Sequence, residues 1–152
     1  MRVLFLDIAG VLAPAGAPID NVSELPWLSE LKSALEGHSD VALVALGDPG
    51  PVRALRTALK GAENRLMDVL APEHQPAMAV QEWLRNTPDV LAHRIITSEP
   101  KAFGNAFQLE LLACDSSKGI SGASAREELR RWLERTAYLV EPVRIVRAAW
   151  LR

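Results

Sequence analysis

The chain predicts a single doubly wound, mostly parallel α/β sheet flanked by helices, and three observations carry that reading. Residues 3–6 and 41–46 are continuous apolar runs of strand length, the pattern of strands covered on both faces. Leucines recur at helical spacing between and after them, and short Pro/Gly breaks keep successive elements adjacent. A length of 152 residues, 49% of them apolar and 24% charged, suits one domain with a sizeable core and excludes a disordered chain.

Taken in order, Val3-Leu4-Phe5-Leu6 forms the first strand and delivers Asp7 to its carboxyl end. Gly10, Pro14, Gly16 and Pro18 mark a loop. Leu25, Leu28, Leu31 and Leu35 then line one helix face, with Pro26 in the first turn and Gly37 as the stop. The run 41–46 is the second strand, and Gly47-Asp48-Pro49-Gly50-Pro51 leads to a helix over 52–60 closed by Gly61. Residues 66–70 make a short third strand, and Pro76 opens a helix through Val80, Trp83 and Leu84 that stops before Pro88. Residues 94–97 and 109–113 read as further strands separated by a Gly-Asn loop. Ser124 and Glu127 have the spacing of a capping box, so a helix is expected from there to about Thr136.

These elements divide the chain into an α/β domain over 1–136 and a C-terminal extension over 137–152. Pro142, Val143, Val146 and Trp150 suit a helix that packs on the domain or on a partner, although Val143-Arg144-Ile145 also alternates like an edge strand. From Arg126 onward seven arginines face four acids, while the chain as a whole carries −2, so a protein partner or a homodimer through this segment is one expectation. The acidic balance argues against a nucleic-acid surface. No apolar run approaches the roughly 18 residues that cross a bilayer. A lone cysteine, Cys114, excludes an internal disulfide, and Asp7 interrupts the apolar N-terminal run; both point to a cytoplasmic protein.

In open α/β sheets ligands gather beyond the carboxyl ends of the strands, which is where Asp7 lies. A carboxylate there can ligate Mg²⁺ or attack phosphorus, and Gly10 allows the following backbone to turn closely around an anion. The string Phe5-Leu6-Asp7-Ile8-Ala9-Gly10-Val11-Leu12 resembles the first motif, D-x-D-G-[TV]-L, of the haloacid dehalogenase-like (HAD) superfamily. Within that superfamily the chain looks like the small capless HAD-like domains related to those of RNA-repair fusion proteins. Leu25-Pro26-Trp27-Leu28, the run 41–46 and the turn Asp115-Ser116-Ser117-Lys118-Gly119-Ile120-Ser121 extend the resemblance over about residues 1–136.

The resemblance implies a HAD-type fold without a large cap, Asp7 as nucleophile, and Mg²⁺ held by Asp7, the main-chain carbonyl of Ala9 and Glu99. It also implies phosphate contacts from Gly10, Gly47 and Lys101. Against it stand four departures. The family's second aspartate, which moves the proton, is Ala9 here, and general acid–base help is worth about 10²–10⁴-fold in rate. Its second-motif hydroxyl is replaced by Gly47-Asp48, and Thr97-Ser98-Glu99 places hydroxyls where metal-binding acids belong. The balancing cation is missing near Gln75-Pro76-Ala77, leaving Lys101 or Arg94 as replacements. The D-x-A-G form also resembles phosphonoacetaldehyde hydrolase, which uses a Schiff-base lysine of its cap, yet residues 12–21 are too short for a helical cap. A receiver-like domain lacks its phospho-acceptor aspartate at the tip of the second strand.

Other residues read more simply. His38, His74 and His93 fall at no metal-ligand spacing and are assigned to the surface or loops. Asp48 is expected to cap the helix that follows it. The tryptophans at 27, 83, 132 and 150 serve as core or interface anchors. The expectation is therefore a HAD-like domain with a degenerate site, acting in binding or interaction and needing no cofactor. The alternative is a Mg²⁺-dependent phosphohydrolase or phosphotransferase using Asp7.

Overall fold

The computed structural model describes residues 1–16, 18–19, 24–59, 65–70 and 75–140. The expectations for residues 142–152, Lys60, Gly61 and His74 lie outside the described residues. Five strands form one parallel sheet: β1 (Arg2–Asp7), β2 (Val41–Leu46), β3 (Leu66–Leu70), β4 (Ala92–Thr97) and β5 (Leu111–Ala113), in the spatial order β3-β2-β1-β4-β5. Among the described residues four α-helices flank it: α1 (Leu28–Leu35), α2 (Pro49–Ala58), α3 (Pro76–Arg85) and α4 (Ala123–Thr136).

Side chains alternate across a strand, so each apolar run feeds two cores. Leu4, Leu6, Leu43, Ala45, Ile96 and Leu112 face α1, α2 and α4. Val3, Phe5, Val44, Leu46 and Ile95 face α3 and the 3-10 helix Pro100–Phe103. With helices on both faces no residue of β2 can be polar without being stranded, and all six are buried. Each fully buried leucine or isoleucine contributes about 1.5–3 kcal/mol.

At the amino end of the sheet, Arg2 is buried as completely as the leucines that follow it. Its guanidinium pairs bidentately with Asp40, each bond 2.8 Å, and donates to Leu133 O at 2.7 Å and Thr136 Oγ1 at 3.0 Å. His38 Nδ1 lies 3.3 Å from Nη2, and Trp132 packs 6.0 Å from the guanidinium carbon. This residue therefore ties β1 to the start of β2 and the end of α4, holding Asp40 below the usual carboxylate range.

Several boundaries differ from the sequence expectation. Helix α1 begins at Leu28, after Pro26 and Trp27, because the Trp27 N–H donates to Leu12 O instead of entering a helical turn. Helix α2 begins three residues early, with Pro49-Gly50-Pro51 forming its first turn. Strand β5 starts at Leu111, since the N–H groups of Glu110 and Leu111 both turn back to Phe107 O at 2.9 Å. The capping box does not form: Gly122 precedes α4, no side chain caps it, and Glu127 binds Arg130 and Arg131 along the helix surface. No helix among the described residues is long and apolar enough to cross a membrane.

Candidate functional site

The strand order reverses between β1 and β4, and crevices at such a switch point are where open α/β sheets hold ligands. Leu6 pairs with Ile96, so one step further Asp7 stands beside Thr97. The fully buried Thr97 hydroxyl donates to Asp7 Oδ2 at 2.5 Å and accepts the N–H of Glu99 at 3.0 Å. The proton of that hydroxyl is spent on Asp7 and one of its lone pairs on Glu99.

A cavity of about 270 Å³ opens over this pair, walled by Asp7, Ala9, Gly47, Asp48, Ser98 and Glu99 among others. Three carboxylates and no basic side chain line it among the described residues. Burial pushes Asp7 up to about 6; Glu99 adds to the rise and the Thr97 hydrogen bond restrains it. The site thus carries an acid that is half-protonated near pH 6 and mostly ionised at neutral pH, with no basic side chain lining the cavity among the described residues.

Gly10 is required by geometry. Its φ is +79°, and a β-carbon there would lie 2.1 Å from Ser98 Oγ. Its N–H donates to Ala13 O at 2.7 Å, however, so the turn is closed on itself and not around an anion. Gly47 lines the cavity, but its N–H, which the sequence reading offered to a phosphoryl oxygen, donates to Leu70 O at 3.0 Å as part of the β2–β3 junction.

The remaining candidates separate. Glu99 reaches the cavity wall in spite of Pro100, as does Asp48. Asp48 occupies the N-cap position of α2 without a side-chain cap bond, so its expected structural role is not the one it fills; its carbonyl accepts the Val52 N–H. Lys101 is exposed on the 3-10 helix and outside the cavity lining. Arg94 turns to Glu128 of α4 at 3.2 Å, away from Asp7. Asp115 is spent on its own turn, accepting from Ser117 N at 2.9 Å and Ser117 Oγ at 2.7 Å. Cys114 is buried, and burial pushes its thiol up to about 12, which removes it as a nucleophile.

The donors do not fit the magnesium shell that the HAD resemblance implies. One Asp7 oxygen is engaged by the Thr97 hydroxyl, and among the described residues no three His, Cys, Asp or Glu side chains gather as a metal site would need. Sequence reasoning placed hydroxyls at 97 and 98 but missed that Thr97 holds Asp7 and that Ser98 fills the space under Gly10. The signal for both is register, which becomes readable once β1 and β4 are known to be neighbours.

Comparison with family models, curated proteins and solved structures found no match for the chain.

Proposed function

We propose that the chain is a HAD-like domain with a degenerate active site, working as a non-catalytic binding or interaction protein through the crevice at the β1/β4 switch point. The observation that carries this reading is the pairing of Asp7 with Thr97 in a cavity lined by Asp48 and Glu99 and, among the described residues, by no basic side chain. A phosphoryl dianion entering there would meet like charge in a partly desolvated space, which disfavours both its binding and its transfer. Ala9 supplies no proton to a leaving group. The same charge pattern favours neutral or cationic groups over anions.

Loss of catalytic groups leaves such a scaffold intact, because its stability comes from the two apolar layers and not from the site. The test is a panel of phosphate monoesters assayed with Mg²⁺ for the wild type and Asp7→Asn. No turnover above that of Asp7→Asn is expected. Turnover that disappears in Asp7→Asn would overturn the reading in favour of a phosphohydrolase.

A further inference from the structure

His93 occupies β4 on the α3 side of the sheet, where the sequence reading had assigned it to surface or loop. Its ring stands edge-on between two phenylalanines, 6.0 Å from Phe5 at 85° and 5.8 Å from Phe107 at 84°. Phe5 continues the stack to Trp83 of α3 at 5.3 Å. His93 Nε2 is buried with no hydrogen-bond partner among the described residues.

Phe107 is the inward anchor of residues 104–110, a run of turns between the 3-10 helix Pro100–Phe103 and β5. Around it Gly104, Asn105, Gln108 and Leu109 are exposed, Leu109 to 88%. Phe107 is also the one non-glycine residue with positive φ among the described residues, at 60°, a conformation that costs about 1–2 kcal/mol. Its ring packs against His93, which joins that strained turn to β4 beside the hydrogen bond from the Ile95 N–H to Glu110 O at 2.9 Å.

We propose that His93 and Phe107 form a pH-sensitive latch on residues 104–110: the neutral imidazole keeps the segment docked, and protonation releases it. A neutral ring tolerates one unpaired nitrogen against aromatic neighbours, whereas an imidazolium must bring a charged N–H to water or to an acceptor. The surrounding elements offer little compensation. Phe5 of β1 and Trp83 of α3 do not titrate, and Arg94, the next residue of β4, is directed to Glu128 on the other side. Glu110, on the segment itself, favours the cation, but burial outweighs it and holds His93 below its usual value of 6.5. Stability from the closed latch is therefore complete above that value and is lost as the pH falls toward the folded-state pKa. Because Ser98 and Glu99 wall the Asp7 cavity immediately before Pro100, release loosens the chain that leaves that wall. This inference stands apart from what the cavity binds.

Amide hydrogen exchange at pH 7.5 and 5, corrected for intrinsic exchange rates, tests it. Protection of the Glu110 and Leu111 amides is expected to fall roughly tenfold or more at pH 5 while β1 and β2 keep theirs. In His93→Phe the pH response of those amides is expected to vanish. Asp7 titrates in the same range and remains intact in that variant, so an equal response in His93→Phe would overturn the proposal. So would unchanged protection in the wild type. If His93→Phe fails to fold, an NMR titration of His93 in the wild type decides: a pKa below 6.5 that coincides with the loss of protection supports the latch, and one at or above it overturns the latch.

Discussion

Thr97 Oγ1 and Asp7 Oδ2 meet at 2.5 Å across the seam where the sheet changes direction, and that hydrogen bond is the only one the structure gives to the Asp7 side chain among the described residues. A neutral donor therefore stands where a cation would normally balance a buried acid. Most of what can be tested at the site follows from this.

Replacing Thr97 with Val keeps the shape and removes the donor. Since the hydrogen bond restrains the rise of the Asp7 pKa, the variant is expected to titrate above about 6. It should lose about 1–3 kcal/mol at pH 8, where an ionised acceptor is left bare, and less at pH 4. Carboxyl ¹³C titration and urea denaturation at the two pH values measure these effects.

Asp7→Asn should behave oppositely. A folded-state pKa raised from 3.8 to about 6 stabilises the fold fully below 3.8, and that contribution is lost as the pH rises through 6. At pH 8 the wild type bears the whole cost of an ionised buried carboxylate, and the amide does not. The variant is therefore expected to be more stable by up to about 3 kcal/mol at pH 8 and nearly equal at pH 3.5, as read from urea melts. A variant less stable at pH 8 would show that Asp7 has stabilising partners beyond Thr97.

Gly10→Ala combines a positive φ with a β-carbon driven into Ser98. The expected loss is about 2–4 kcal/mol in a denaturant melt. Pairing it with Ser98→Gly removes the collision but not the backbone strain, so a double-mutant cycle should recover part of the loss.

The strands β1 and β2 were readable because a parallel strand covered on both faces has no room for polarity, and the apolar runs say so directly. Edge strand β3 was harder to read, since Met67 and Asp68 are exposed and only its other side chains are partly covered. His93 was misread because Ala92-His93-Arg94 looks polar along the chain; its cover is Phe5, far back in sequence, and Phe107, held by an unusual turn. The S-x-x-E pattern at 124–127 misled because Gly122 can enter α4 without a side-chain cap, which leaves Glu127 free to bind arginines. Asp7 itself was readable from its place after a buried strand. Its state was not, because that depends on the register between β1 and β4.

Arg2→Met should show how much the amino end of the sheet depends on one guanidinium. Asp40 and the Leu133 carbonyl lose their donor together, and removing one member of a buried pair costs about 3–5 kcal/mol. Arg2 holds the Asp40 pKa down, so the stability from this pair is present above the usual carboxylate range and is lost as the pH falls. The gap between wild type and variant in urea melts is expected to narrow from pH 7 to pH 3.5.

The same residue sets a schedule for synthesis. Arg2 leaves the ribosome long before Leu133 and Thr136, which supply the carbonyl and hydroxyl it needs, and the flank of β1 opposite β2 waits for residues 92–96. A nascent chain interrupted before then exposes an oily central strand whose guanidinium still lacks the Leu133 and Thr136 acceptors, a species prone to aggregate and a natural client for holding chaperones.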